Sequence, residues 1–112
     1  GPNTGLGHGG SAIFQAECQA NYIAGCLENI FANDLVSMDV KPEPLADWVA
    51  KVDAEHEQMI WSHPGMSTYY RNKAGRVFSV IPFRLVDYWG MTRKPDLADY
   101  EVVPRSAEAA PA

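Results

Sequence analysis

The sequence predicts an α+β chain built from two main helices and a β-hairpin. Two separate stretches, 11–31 and 44–62, carry apolar residues at the helical period. A later stretch, 67–81, holds two runs of β-favouring residues around a turn that ends in Gly75, which is typical of a hairpin. A length of 112 residues allows one domain.

The first helix, expected over 11–31, has few charged residues. Ser11 suits its N-cap, because a serine hydroxyl accepts a hydrogen bond from the first helical turn. Apolar residues cover most of its circumference: one periodic stripe holds Ile13, Ala16, Ala20, Ile23, Leu27 and Ile30, and Phe14, Cys18, Tyr22, Cys26 and Phe31 widen it. A helix of this kind is usually central in a protein rather than on its surface. The chain is therefore expected to be part of something larger.

The elements after the first helix are shorter or more polar. Asn33 and Asp34 should end that helix, because both residue types favour turns. A short strand is expected at 35–40. The second helix, 44–62, has an apolar stripe opposite a charged face and is expected to lie on the surface.

The end of the chain is predicted to be a short helix, a turn and a tail. The helix is expected over 83–92 with a break near Gly90, and a turn or one helical turn at 96–100. The ordered domain is expected to cover 1–104. The remaining residues, 105–112, are small and polar, so they are expected to be disordered.

Composition excludes several classes of protein. A net charge of −5 argues against a general nucleic-acid binder. No apolar run reaches the roughly 18–20 residues that span a bilayer, and no signal peptide is recognised, so no membrane partner is expected. Cys18 and Cys26 would lie about 12 Å apart along the first helix, too far for a disulfide. Reduced thiols in a cytoplasmic protein are the simplest interpretation.

Charged and titratable residues indicate no catalytic group and no metal site. His8, His56 and His63 lack the spacing of metal ligands, and His56 is expected to be partly exposed on the second helix. Six of the nine cations fall between Arg71 and Lys94. Two interpretations remain open for them: a solvated face, or a site for phosphate or a dinucleotide.

The glycine-rich start, GPNTGLGHGG, is the strongest candidate for ligand binding. The free N–H groups of the helix that follows suit an oxygen-rich ligand. A dinucleotide fingerprint, however, needs a strand before the glycines, and there is no room for one here. From the residues alone, a ligand loop and a flexible end both remain open.

Two long motifs resemble class B flavoprotein monooxygenases of the Baeyer–Villiger type, and most closely the 4-hydroxyacetophenone monooxygenase group. The motifs are GPNTGLGHGGSAIFQAECQANYI and IWSHPGMSTYYRNKAGRVFSVIPFRLVDYWGMTRKPDLADYE. In family order, they reach from Gly1 to Glu101. The resemblance implies the C-terminal segment of a larger FAD- and NAD(P)-binding α/β fold.

The resemblance also implies cofactors, a reaction and contact residues. The cofactors are FAD and NADPH, and the reaction inserts oxygen beside the carbonyl of a ketone substrate. The residues implied to meet FAD are Asn3, Thr4, Gly5, Leu6 and Gly7. Tyr69 stands where related enzymes often have a tryptophan that touches the nicotinamide cofactor, and its other interpretation is a cross-strand aromatic of the hairpin.

Much of the family's cofactor-binding machinery is absent from the chain. Both glycine fingerprints of the family are missing, so a missing N-terminal portion or a partner chain is expected to bind most of FAD and NADPH. The chain alone is expected to be inactive. The alternative is a stand-alone α+β interaction module that forms a homo-oligomer through its apolar first helix.

Overall fold

A computed structural model describes residues 2–7 and 9–108 of the chain. It confirms the α+β class. The elements are β1 (Gly5–Leu6), α1 (Ala12–Ala32), β2 (Leu35–Val40), α2 (Pro42–His56), a 3-10 turn (Ile60–Ser62), β3 (Val80–Ile81), α3 (Leu85–Met91), a second 3-10 turn (Leu97–Asp99), β4 (Tyr100–Pro104) and α4 (Arg105–Glu108).

Helix α1 begins and ends where its capping residues predict. The Ser11 hydroxyl accepts a hydrogen bond from the Phe14 N–H at 3.1 Å. At the other end, the Asn33 N–H donates to the Asn29 carbonyl at 3.1 Å. Asp34 then adopts a left-handed φ of 48°, which turns the chain directly into β2.

Strand β2 pairs with β4 in an antiparallel sheet that runs from Leu35 opposite Pro104 to Val40 opposite Tyr100. The sequence predicts β2 but only a turn near Tyr100. The pairing joins segments about sixty positions apart, and no local turn signal marks it. The Arg105 side chain contacts the Asp34 carboxylate at 2.9 Å, and α4 begins at this residue. A helix thus occupies the first half of the predicted disordered tail; residues 109–112 lie outside the described part.

The predicted hairpin is reduced to one antiparallel bridge, between Arg71 and Val77. Its turn is present, because the Asn72 N–H donates to the Arg76 carbonyl at 2.9 Å and Gly75 has a φ of 83°. The predicted second strand then leaves the hairpin. Its end, β3, pairs in parallel with β1, and this supplies hydrogen bonds that the hairpin would otherwise provide.

Strand β3 separates two hydrophobic clusters. Ile81 belongs to a cluster shared by α1, α2 and α3, whose members are Cys18, Val52, Ile81, Phe83 and Tyr88. Val80 belongs to a second cluster with Trp61 and Val77. Successive side chains of a strand point to opposite faces, so Ile81 packs into the first cluster and Val80 into the second. β3 is therefore the centre of the packing.

Two helices differ modestly from their predicted bounds. Helix α2 ends at His56 rather than at Ser62, and the chain continues into the 3-10 turn Ile60–Ser62. Helix α3 is confirmed, but it continues through Gly90. Cys18 and Cys26 are both free thiols, as expected from their spacing.

One side of α1 is uncovered. We call it the outer face; its members are Ile13, Ala16, Ala20, Ile23, Leu27 and Phe31, all exposed. Ile13 and Phe31 are 75% and 79% exposed. The radius of gyration is 17.1 Å, whereas a compact domain of this length has about 13 Å. Helix α1 thus packs on one side only.

We predict that Gly5→Ala destabilises the chain by about 1–3 kcal/mol, the usual cost of overpacking. A Cβ at Gly5 would lie 2.8 Å from the Ser79 carbonyl oxygen, which is backbone and cannot rotate away. Gly9→Ala is the matched control, because no heavy atom lies within 4 Å of its Cβ position. Urea unfolding measures both; equal midpoints would contradict the close β1–β3 contact.

Candidate functional site

The candidate site is segment 3–7, which runs along β3 and leads towards the start of α1. The Asn3 N–H donates to the Phe78 carbonyl at 2.6 Å, and the Gly5 N–H donates to the Ser79 carbonyl at 2.8 Å. A Cβ at Gly7 would lie 2.8 Å from a methyl of Val80. Glycine is needed here for the close approach to β3, whether or not a ligand also binds.

Two glutamines of α1 hold the segment from the other side. The Thr4 carbonyl accepts hydrogen bonds from the Gln15 amide at 2.6 Å and from the Gln19 amide at 3.1 Å. Gln15 is buried, so its amide needs such a partner. These amides lie in a helix that is otherwise poor in polar groups, and they fix the segment against its first two turns.

Asn3 anchors the beginning of the segment. It is 5% exposed and has a left-handed φ of 54°, which asparagine tolerates better than most residues. Its amide nitrogen donates to the carbonyls of Val77 and Val80 at 3.0 and 3.1 Å, and its oxygen accepts from Arg76 at 3.3 Å. Asn3 therefore holds the segment in place; its contact with a cofactor stays a prediction.

His56 lies directly beside Asn3, although the sequence predicted partial exposure. That prediction is wrong, since His56 is only 4% exposed. It follows Trp48 and Val52 at spacings of four, so it continues the inward stripe of α2. This spacing is the signal that could have placed it in the interior.

The hydrogen bonds of His56 define its tautomer. The Trp61 indole N–H, which can only donate, points at His56 Nδ1 at 2.9 Å. Nδ1 must therefore be the acceptor, and the proton of the neutral ring sits on Nε2. Nε2 donates to the Val80 carbonyl at 3.1 Å. The 3.3 Å separation between Nε2 and the Asn3 amide nitrogen joins two donors that share this carbonyl.

Burial of the ring lowers the pKa of His56. The hydrogen bond to Val80 and the charge of Asp53 oppose this shift, and the charge of Arg76 adds to it. The neutral ring is therefore favoured near neutral pH.

The start of α1 offers hydrogen-bond donors next to the segment. Ser11 satisfies the N–H groups of Phe14 and Gln15 with its hydroxyl and its carbonyl. The N–H groups of Ala12 and Ile13 belong to the first turn and have no acceptor within the helix. This end of α1 therefore suits a negatively charged or acceptor-rich group.

Tyr69 and the cations nearby do not form one site. The Tyr69 ring is 89% exposed and contacts Tyr70 edge-on at 6.2 Å between centroids. Three of the six clustered cations have separate partners. Arg76 pairs with Asp53, Arg84 pairs with Asp87, and Arg93 lies over the Trp89 ring. These contacts favour the interpretation of the cations as locally paired surface charges.

A cavity of about 650 Å³ lies between α1, α2 and α3. Its lining is mostly apolar and aromatic, and it includes Tyr22, Trp48, Tyr88, Tyr100 and Thr4 of the segment. The Tyr22 and Tyr100 hydroxyls lie 2.6 Å apart, and burial raises the pKa of both Tyr88 and Tyr100. The volume is within the range of small-molecule pockets.

Among the described residues, no helix is long and apolar enough to cross a membrane.

Curated relatives match this chain over nearly all of its length. It is 43% identical over 105 residues to an uncharacterized monooxygenase, y4iD, of Sinorhizobium fredii, covering 94% of the chain and 16% of that protein. It is 32% identical over 104 residues to a Baeyer–Villiger monooxygenase of Streptomyces coelicolor, covering 92% and 20%. A Baeyer–Villiger monooxygenase of Pseudomonas aeruginosa is 27% identical over 103 residues, covering 91% and 19%.

The matched region is a small part of each relative. The chain spans a fifth or less of the length of these proteins. No family model matches the chain, and no solved structure matches it.

We predict that the free energy of unfolding falls as the pH drops below about 6.5, the ordinary pKa of histidine. There the unfolded chain takes up a proton on His56, whereas the folded chain, with its lowered pKa, does not. The loss continues until the pH passes the folded pKa. Urea midpoints between about pH 7.5 and 5 measure it.

His56→Gln is the control for this prediction, because glutamine does not titrate. Its midpoint should vary less over the same pH range, while the exposed His63 is unchanged in both proteins. Parallel curves for the two proteins would show that His56 is not held neutral by the fold.

Proposed function

We propose, from its confirmed resemblance to a segment of Baeyer–Villiger type monooxygenases, that this chain is the C-terminal part of an FAD- and NADPH-dependent monooxygenase. Such an enzyme inserts one oxygen atom from O2 next to a ketone carbonyl and gives an ester. The observation that carries the proposal is the similarity itself. Identities of 43% and 32% to proteins named monooxygenase and Baeyer–Villiger monooxygenase extend over 94% and 92% of the chain.

The surroundings of segment 3–7 fit the pyrimidine end of FAD. Oxygen acceptors at that end would meet the N–H groups of Ala12 and Ile13, where the positive end of α1 also favours negative charge. Gly5 is exposed, so no side chain blocks an approach to the backbone there. Thr4, Leu6 and Gly7 are half-buried and would form the rest of the contact.

The chain's own contribution is to position the cofactor. Asn3 holds the segment to β3, and Gln15 and Gln19 hold it to α1. When bound, FAD supplies the oxygen-transfer chemistry itself. No residue of this chain is proposed as catalytic, and the chain alone is proposed to be inactive.

Tyr69 is proposed to contact NADPH. Its ring is almost fully exposed and is therefore accessible to a planar group. Its weak engagement in the reduced hairpin supports this role over that of a cross-strand aromatic, since the bridge there joins Arg71 and Val77 instead.

We propose that the outer face of α1 packs against a further portion of the protein, either N-terminal in the same polypeptide or on a second chain. The accessible surface is 7627 Å², whereas a folded monomer of this mass has roughly 6,100 Å². The excess is larger than the roughly 800 Å² that each partner buries in a standard interface. We also propose that this portion carries most of the FAD and NADPH contacts and that the protein is cytoplasmic.

The same outer face supports a second candidate function. A stand-alone module could cover Ile23, Leu27 and the other members by pairing with a second copy of the chain. The mass of the chain in solution separates the two candidates. A stable dimer that needs the outer face favours the module, an unspecific aggregate favours the missing portion, and a stable monomer counts against both.

We predict that this chain can replace the matching segment of y4iD monooxygenase of Sinorhizobium fredii without loss of cofactor. If the parent protein purifies with flavin absorbance, the folded chimera should retain a similar amount, and the chain alone should show no ketone-dependent oxidation of NADPH. If the parent is colourless, the same exchange is made in the Streptomyces coelicolor relative. A folded but colourless chimera of a flavin-binding parent would overturn the proposal.

We also predict that Ala20→Glu lowers the soluble yield and the flavin content of the chimera. The substitution places a charge in the middle of the apolar outer face, which is proposed to pack against the rest of the protein. Ala46→Glu is the matched control, since Ala46 is an exposed alanine of α2 outside that face. Ala46→Glu should leave both soluble yield and flavin content unchanged. Size-exclusion chromatography with flavin absorbance measures both; equal behaviour of the two variants would contradict the packing of the outer face.

A further inference from the structure

We propose that His56 is a positioning residue for segment 3–7: its Nε2–H tautomer holds the segment against β3, and a proton added to Nδ1 releases it. His56 itself touches no part of the proposed cofactor site. It acts through the Val80 carbonyl and Asn3. The consequence for cofactor binding rests on the proposed function, whereas the coupling within the chain stands without it.

The coupling passes through a single carbonyl. Val80 accepts from His56 at 3.1 Å and from Asn3 at 3.1 Å, and a carbonyl oxygen has two lone pairs for these two donors. Val80 is also the register partner of Gly5 in the β1–β3 ladder. A displacement of the His56 ring therefore disturbs a carbonyl to which Asn3 also donates, on the residue that is paired with Gly5 in the ladder.

Protonation is incompatible with the present arrangement. A proton on Nδ1 would point directly at the Trp61 indole N–H, across a separation of 2.9 Å. Two donors at this distance repel, so either the imidazole or the indole must move. Trp61 is buried in the cluster with Val77 and Val80, hence it cannot simply turn into solvent. Movement of the imidazole removes its hydrogen bond to Val80.

The charged groups around the ring are few. Asp53 lies one turn earlier on α2, and Arg76 comes from the turn of the reduced hairpin. They pair with each other at 3.0 Å, and Arg76 also donates to the Asn3 side chain. Glu55 and Glu57 are adjacent in sequence and point in other directions on the helix. Segment 3–7 itself contributes no charge.

This pair makes a second connection from α2 to Asn3. Asp53 orients Arg76, and Arg76 fixes the Asn3 oxygen, so that both amide hydrogens of Asn3 face the carbonyls of Val77 and Val80. Arg76, oriented by Asp53, therefore holds the Asn3 oxygen, while His56 and the Asn3 amide share the carbonyl of Val80. Of these groups, His56 is the one with an ordinary pKa in the range of physiological pH.

The experiment is NMR on the full chain across the titration of His56. Nitrogen chemical shifts of the ring report the tautomer, and amide exchange of Gly5 reports the β1–β3 hydrogen bond to Ser79. We expect the Nε2–H tautomer near neutral pH. We also expect Gly5 to lose its protection on acidification as His56 titrates, while amides of the β2–β4 sheet stay protected.

Three variants test the cause. Trp61→Phe removes the indole donor, so His56 should titrate at higher pH, and Gly5 should keep its protection because no opposing donor then displaces the protonated ring. His56→Gln keeps a donor for Val80 but cannot titrate, so Gly5 should stay protected at all pH values used. Trp89→Phe is the matched control, because Trp89 lies elsewhere and is partly exposed. If Trp61→Phe unfolds, shown by loss of β2–β4 protection, the comparison of wild type with His56→Gln decides.

Two results would overturn the proposal: an Nδ1–H tautomer, or a Gly5 exchange profile that is the same in wild type and His56→Gln. The chimera separates this from the proposed function. Flavin retention should fall on acidification in the chimera and fall less in its His56→Gln form. If Gly5 protection follows the titration of His56 but the folded chimera holds no flavin, the proposed cofactor is rejected. If the chimera retains flavin but Gly5 protection does not follow the titration of His56, the role of His56 is rejected.

Discussion

The carbonyl of Val80 is the point on which the candidate site depends. It receives hydrogen bonds from Asn3 and His56, and its residue stands opposite Gly5 in the parallel ladder. Ordering a segment of five residues costs conformational entropy that two ladder positions alone would hardly offset. The buried amide of Asn3 and the two glutamine bonds to Thr4 supply the remaining contacts. Because these groups are buried and satisfied, losing one partner costs more than its bond contributes.

Local patterns were sufficient to predict the helices but not the strand partners. The apolar period and Ser11 locate α1, and the inward stripe of Trp48 and Val52 locates α2. The partners of β2 and β3 come from distant parts of the chain, where no turn signal sets a register. For the same reason, the sequence predicted a hairpin at 67–81. The turn that this pattern predicts is present, but the last residues of the predicted second strand pair with β1 instead.

The candidate site shows a similar division. The glycines of segment 3–7 were predicted to bind a ligand. The structure adds a packing reason for Gly5 and Gly7, which approach β3 too closely for a side chain. Both demands are compatible, because Gly5 stays exposed although its backbone lies against Ser79. His56 could not be found by motif, since its importance comes from Trp61 and Val80. Only the spacing of four from Val52 indicated that it faces inwards.

Helix α1 borders the candidate site on its inner side and carries the exposed outer face on the other. Its inner side holds segment 3–7 through Gln15 and Gln19 and supplies Cys18 to the core, whereas its outer face has no partner within the described residues. A helix this poor in charge exposes an apolar surface that favours association in water. A partner that covered the outer face would also stabilise the helix whose first turn borders the candidate cofactor site. Assembly and cofactor binding would then be linked through α1, since each favours the same rigid helix.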